Sequence, residues 1–253
     1  MGFWRNIFSK EQPPTCSHLV PEGSLVYAVG DIHGRADLLD RLCQLIREDM
    51  AQRDFSQATI IFLGDYIDRG YHSREVIEGL INLEIDGADV VCLAGNHEDM
   101  MLRFLDDPAE GQFWLGVGGL ATLASYNVFV ADDSSLENLL YASNELAAKL
   151  PERHKQFLLG LGEHAQIGDY YFVHAGMRPG VPCAEQRRED KLGIRREFTE
   201  SDFDFGVKIV HGHSGVRKPV LKTNRIAIDT GAFATGQLTA VVLSGNETAF
   251  IQT

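Results

Sequence analysis

Along most of this 253-residue chain, short apolar runs alternate with stretches of helical period. The run "SLVYAVGD" precedes "RADLLDRLCQLIRED", where Leu38, Leu39, Leu42, Leu45 and Ile46 recur at helical spacing. "ATIIFLGD" precedes "SREVIEGLINLE", with Ser73 standing as an N-cap ahead of an acid-led first turn. A third run, "ADVVCLAGN", leads into "HEDMMLRFL". Strands alternating with helices predict α/β organisation. From about residue 106 to 168 the pattern turns helical and loop-like, with "LENLLYASNELAAKL" as its clearest helix. Beyond it, "YYFVHAG", "VKIVHGHSG", "RIAIDTG" and "LTAVVLSG" are closely spaced strand-like runs with turn glycines between them. The pattern therefore predicts mixed sheets. It also predicts an N-terminal extension over 1–20 and one domain over 21–253, carrying a helical insertion at about 106–168.

The polar residues at the strand ends add chemistry to this outline. "YAVGDIHG", "IFLGDYIDRG" and "CLAGNHED" each finish in Gly followed by Asp or Asn, and "FVHAG" and "IVHGHSG" finish in histidines. Ligands of open α/β sheets collect outside the carboxyl ends of strands. If these strands are neighbours, Asp31, His33, Asp65, Asn96, His174 and His213 converge on one rim. A single Gly-Asp after a strand is ordinarily only a turn. Five such ends in one chain need a common cause. Six oxygen and nitrogen donors exceed what one structural zinc takes, and none is a thiolate. The set suits two divalent ions of the Mn²⁺ or Fe type. A two-metal site needs a bridging ligand, and Asp65 is the natural candidate.

Composition narrows the function classes. The formal charge is −13 at pH 7, which argues against a nucleic-acid surface but not against an anionic substrate held through bound cations. Cys16, Cys43, Cys92 and Cys183 show no metal-type pairing, and Cys43 and Cys92 lie within apolar patterns. They predict a reduced, cytoplasmic chain. "MGFWRNIFSK" is too interrupted for a signal peptide or membrane span, and Asn6 stands where a myristoylation motif at Gly2 wants Ser or Thr. Stable membrane insertion is not expected, although Phe3, Trp4, Ile7 and Phe8 offer a weak apolar surface.

Taken together, "GDIHG", "GDYIDRG", "GNHE", "HAG" and "GHS" resemble the phosphoprotein phosphatase branch of the calcineurin-like metallophosphoesterases, over about residues 26 to 243. Small bacterial and phage serine/threonine phosphatases are similar in size. The resemblance implies two mixed β-sheets packed face to face and flanked by helices. It implies a first metal on Asp31 and His33, a bridging Asp65, and a second metal on Asn96, His174 and His213. His97 matches a general acid, Asp68 the carboxylate that orients it, and Arg69 and Arg195 phosphate-binding arginines. His213 rather than His211 matches the ligand, because it follows the Gly of "GHS". Two divalent ions, Mn²⁺ first with Fe or Zn as options, would activate a bridging hydroxide. Where relatives carry a Pro-Asp or similar turn, this chain has Tyr71 and His72.

These motifs lead to a phosphomonoesterase, first of all one acting on protein phosphoserine and phosphothreonine, with a phosphorylated small molecule as the other substrate class. The alternative is symmetric hydrolysis of diadenosine tetraphosphate on the same metal site. A nuclease of this superfamily would continue the last motif as G-H-x-H, but Gly215 occupies that position. A catalytically silent scaffold would have no need for the full set of ligand and acid residues found here.

Overall fold

A computed structural model describes residues 18–130 and 135–253. The N-terminal residues singled out above, Gly2, Phe3, Trp4, Ile7, Phe8 and Cys16, lie outside the described residues. Three parallel strands come first: β1 (Ser24–Val29), β2 (Gln57–Phe62) and β3 (Ala88–Cys92). The crossovers between them are α1 (Ala36–Met50) and α2 (Ser73–Ile81), and α3 (Asn96–Asp106) follows β3. Parallel neighbours require such crossovers, which is why the helical stretches fall between the apolar runs. Ser73 begins α2 without capping it; its hydroxyl instead accepts from the Asp68 N–H at 3.0 Å. The expected N-cap is therefore a brace for the preceding turn.

Among the described residues the middle section holds the α-helices α4 (Gly111–Trp114), α5 (Leu120–Ser125), α6 (Leu136–Lys149) and α7 (Glu152–Leu159), with a 3-10 turn over Pro108–Glu110 and a π-helical turn over Leu115–Gly119. A second set of strands follows: β4 (His164–Ile167), β5 (Tyr170–Val173), β6 (Lys208–His211), β7 (Val220–Leu221) and β8 (Arg225–Ala227). The short helices α8 (Arg188–Gly193) and α9 (Arg196–Thr199) lie between β5 and β6. The last elements are α10 (Ala232–Thr235), β9 (Thr239–Ser244) and β10 (Glu247–Gln252).

The strands form two mixed five-stranded sheets, ordered β10-β9-β1-β2-β3 and β4-β5-β6-β8-β7. Alternation along each strand assigns its two faces. From the first sheet Val26, Ala28, Ile61, Leu63 and Leu243 meet Phe172, Val210 and Ile226 of the second, which makes the sheets a face-to-face sandwich. The intervening residues Leu25, Tyr27, Ile60 and Phe62 point the other way, onto Leu39, Leu42 and Ile46 of α1 and Val76, Ile77 and Leu80 of α2. Each such side chain contributes about 1.5–3 kcal/mol on full burial. On the far face of the second sheet, Tyr171, Val173 and Ile209 cover Ile194 and Phe198. This is the layered α/β architecture that the motif resemblance implied.

Candidate metal centre

The loops after β1, β2, β3, β5 and β6 all leave the sandwich on the same rim, and the polar strand ends meet there. The Asp65 carboxylate lies at the middle. Its Oδ2 is 3.6 Å from His33 Nε2 and 3.8 Å from His97 Nε2, and its Oδ1 is 3.3 Å from His174 Nε2. His33, Asp65 and His97 form one tight donor group, and Asp65, His174 and His213 form another, all buried. Asp31 stands beside the first group, 3.9 Å from His33 Nε2, and accepts the His213 N–H at 3.1 Å. Asn96 joins the second through Oδ1, 3.0 Å from His174 Nε2.

The glycines that precede Asn96 and His213 have a steric reason. A Cβ at Gly95 would lie 2.2 Å from Asp65 Oδ1, and one at Gly212 would lie 2.1 Å from Asp31 Oδ1. Only a bare backbone lets the carboxylates of neighbouring loops settle so close. Among the described residues, positive φ at non-glycine positions falls mostly here, at His33, Asp65, Asp68, Arg69 and His213. Strain of this kind persists where the surroundings over-determine it and concentrates at functional sites.

Electrostatics follow from burial and crowding. Burial, together with repulsion from Asp229 and Asp65, pushes Asp31 well above the carboxylate range. Asp65 is also penalised by burial, but His174, His97 and His33 around it hold it well below that range. Burial lowers His33 to about 3 and His213 to about 2. For His97 and His174 burial acts in the same sense, yet the pull of Asp65, with Asp68 for His97, carries both above the ordinary histidine value.

Asp68 orients His97. Its Oδ2 lies 2.5 Å from His97 Nδ1 and accepts from Trp114 Nε1 at 2.8 Å, while Thr122 Oγ1 donates to Oδ1 at 2.5 Å. Arg69 directs one guanidinium nitrogen to His33 Nε2 at 2.8 Å and the other to His97 Nε2 at 3.2 Å. Arg195 caps the start of α9, exposed, with its charge felt at His213. His211 Nδ1 lies 3.0 Å from the Gly212 carbonyl oxygen. Its ring packs edge-on against Phe198, and burial pushes it down to about 4.

Several contributors were not recognised from sequence. Glu98 accepts the backbone N–H groups of Asp65, Tyr66, Ile67 and Gly95, and so clamps the loop that carries Asp65. The "GNHE" stretch carried that signal, but only its Asn and His were given roles. Asp229, after β8, is buried and close enough to raise Asp31. It ends a strand in the Asp-Thr-Gly manner and could have been found by the strand-end rule used for the others. Trp114 and Thr122 lie in the helical middle section, where no motif marked them.

The family model of the calcineurin-like phosphoesterases matches residues 24–229. The chain belongs to this family. It is a metal-dependent phosphoesterase. Among curated relatives, the bis(5'-nucleosyl)-tetraphosphatase PrpE [asymmetrical] of Anoxybacillus flavithermus is 26% identical over 88% of this chain and 92% of its own length. The protein of the same name from Bacillus thuringiensis is 27% identical at the same coverage. A crystal structure provisionally described as a diadenosine tetraphosphatase superimposes with a TM-score of 0.62 at 21% identity, covering 92% of this chain and 96% of its own. A cold-active protein tyrosine phosphatase superimposes at 0.61 and 17% identity, covering 93% and 81%. At these identities the solved structures attest to the fold.

The donor set of this phosphoesterase fits the dinuclear centre its family implies. His33 Nδ1 and His174 Nδ1 bond the carbonyls of Ile67 and Leu63 at 2.8 and 2.9 Å, which turns both Nε2 atoms into the site. His213 Nε2 is buried with no hydrogen-bond partner. A buried polar atom left in that condition is costly unless something else satisfies it, and a cation does. The crowding of Asp31, Asp65 and Asp229 calls for positive charge of the same kind.

Proposed function

We propose that this phosphoesterase hydrolyses dinucleoside tetraphosphates of the diadenosine type, splitting them asymmetrically. The observation that carries the proposal is the set of PrpE tetraphosphatases, matched at 26–27% identity across nearly the whole of both chains. The reading replaces protein phosphoserine as the first substrate, and unequal products replace the symmetric split expected from the motifs. The roles of Asp31, His33 and Asp65 at a first ion, and of Asp65, Asn96, His174 and His213 at a second, belong to the same proposal. Mn²⁺ fits the all-nitrogen-and-oxygen donor set. Among the described residues Cys43, Cys92 and Cys183 are free, which supports a reducing, cytoplasmic setting.

When bound, the ions supply Lewis acidity that acidifies water and neutralises phosphate oxygens. The remaining work falls to side chains. Arg69 and Arg195 offer planar paired donors to the phosphate as charge spreads over its oxygens. A water oxygen adds to phosphorus and gives up its proton to solvent, the P–O bond to the bridging oxygen breaks, and the departing nucleotide keeps that oxygen with its electron pair. His97, held through Nδ1 by Asp68, presents Nε2 to protonate the departing oxygen.

Chromatography of the products from diadenosine tetraphosphate and the Mn²⁺-loaded protein tests the proposal, with a phosphoserine/phosphothreonine peptide panel in parallel. AMP and ATP in equal amounts are expected. ADP alone would restore the symmetric split, and a much larger kcat/KM on the peptides would return the enzyme to the protein phosphatases.

A further inference from the structure

Beside the metal centre lies a cavity of about 630 Å³ walled by Arg35, Asp37, Arg69, Tyr71 and Phe233. Arg69 is common to the cavity and the centre, since its guanidinium reaches both His33 and His97. Phe233 is a second link: its ring stands edge-on to His33 at 5.6 Å, with the Arg69 guanidinium 4.8 Å from its centroid. We propose that this cavity is a nucleoside subsite, in which Tyr71 and Phe233 stack a purine, Asp37 accepts the ribose hydroxyls and Arg69 meets the attached phosphate.

Tyr71 is 74% exposed, which would suit a solvated loop residue were its backbone free. It is not. The N–H groups of Gly70 and His72 donate to the carbonyls of His33 and Gly34 at 3.2 and 3.1 Å, so Tyr71 is held on the turn that carries a metal-site histidine. An aromatic side chain whose backbone is fixed beside an arginine offers a stacking platform, because every base has a π-face. Phe233 is held as well. Arg35 donates to the Ala232 carbonyl at 3.1 Å and grips Asp37 through two bonds of 2.8 and 2.7 Å, which ties α10 to the start of α1. The Asp37 side chain remains 60% exposed, and a carboxylate has acceptor capacity beyond a bidentate arginine.

The other opening next to the centre is a poorer candidate. It adjoins Asn96, but Asp99, Glu110 and Glu189 line it, and its arginines are already engaged, Arg103 by Asp99 and Arg188 by Asp99 and Glu163. A polyphosphate arm would meet repulsion on that side. A volume of about 630 Å³ is of the size that buries most of a small ligand's surface.

The inference rests on the tetraphosphatase reading for its natural ligand, but its test does not. Inhibition of p-nitrophenyl phosphate hydrolysis by AMP and by inorganic phosphate is measured on the Mn²⁺-loaded full chain, as wild type, Tyr71→Ala and Tyr71→Trp. AMP should bind at least about tenfold more tightly than phosphate to wild type, in line with aromatic–base stacking. Tyr71→Ala should lose that advantage and Tyr71→Trp keep it. Asp37→Ala should weaken binding of AMP to the level of the 2′,3′-dideoxy nucleotide and leave that nucleotide's binding unchanged. Equal inhibition by AMP and phosphate in wild type, or an AMP advantage untouched by Tyr71→Ala, overturns the subsite. An equal loss on a phosphotyrosine peptide would make the cavity a general aromatic slot and overturn the nucleoside assignment. Failure of the tetraphosphatase reading would appear separately, as wild type that binds AMP in this manner yet leaves diadenosine tetraphosphate intact.

Discussion

His97 is the residue on which two roles compete, because its Nε2 lies in a donor group with His33 and Asp65 while its Nδ1 is held by Asp68. As the acid, its loss should leave two ions per chain, measured by metal analysis of His97→Ala; loss of one ion would make it a ligand. The penalty should depend on the leaving group. An alkoxide is about as basic as hydroxide, whose parent water has a pKa of about 15.7, whereas a phosphate oxygen ionises near about 6. His97→Ala should therefore lower kcat on an alkyl phosphomonoester by about 10²–10³-fold, and on diadenosine tetraphosphate by much less. The acid must carry its proton, so the rate on the alkyl ester should fall as pH rises through the pKa of His97. In the metal-free fold burial lowers that value, Asp65 does most to raise it, and the bound ions would partly offset Asp65. Asp68 helps to raise it, hence Asp68→Asn should move this alkaline limb to lower pH in a pH–rate profile. The ligand candidates were legible because all of them stand at or just after the end of an apolar run, Asp31, Asp65, Asn96 and His213 directly after a glycine. Glu98 stood in the same "GNHE" stretch but was given no role, because its work is to accept backbone N–H groups, which the chemistry of ligands and acids does not point to.

At the scale of elements, the middle section does more than cover the sandwich. Trp114 of α4 and Thr122 of α5 both donate to Asp68, and the π-helical turn between them brings the Gly118 carbonyl to the Arg69 N–H at 3.2 Å. Gly118 has φ of 133°, and a Cβ there would meet Arg69 at 2.8 Å. A π-turn inside a helical stretch is a frequent companion of functional sites. Thr122→Val keeps the shape and removes the hydroxyl that serves the Asp68 carboxylate and N–H and the Ser73 hydroxyl. A bond to a charged group is worth about 1.5–3 kcal/mol, so denaturant melts should show a loss of about 2 kcal/mol. Turnover on an alkyl ester should fall with it, because His97 loses its fixed partner. No change in either measurement would mean that Asp68 is held by Trp114 alone. The helical period of "LENLLYASNELAAKL" predicted α6, but not what α4 and α5 support. Their donors are lone side chains whose partner lies 46 and 54 residues away. Ser73 was misread for the same reason: its local position matches a cap, while its real partner is set by the tertiary fold.

Over the whole molecule, the two face-to-face sheets came from the motif resemblance, while the strand-end rule made their common rim legible, because the polar ends need neighbouring strands to have any purpose. What it could not supply is the balance of charge in the assembled centre. Asp31, Glu98 and His174 all have folded values above their ordinary ones, with Glu98 raised to about 7 by burial and by Asp65. Groups raised in the fold hold protons more tightly there than in the unfolded chain. They support the metal-free fold below their unfolded values and withdraw that support as pH rises through the folded ones, for Glu98 near about 7. Asp65 has the opposite sign, since its value is depressed and its contribution is lost only as pH falls well into the acid range. Divalent ions reverse the first trend, because they need Asp31 ionised and the His174 Nε2 lone pair free. Thermal melts with chelator and with Mn²⁺ should therefore diverge as pH increases from 6 to about 8, the Mn²⁺-induced rise in Tm being larger at the alkaline end. Asp31→Asn separates the two causes. It relieves the repulsion from Asp229 and Asp65, so in chelator at neutral pH it should raise stability by about 1 kcal/mol, the usual trade between an active site and its fold. The same substitution should shrink the gain from Mn²⁺. A variant less stable than wild type in chelator would show that the carboxylates do not strain the metal-free fold, and that Asp31 is held chiefly through the His213 N–H it accepts.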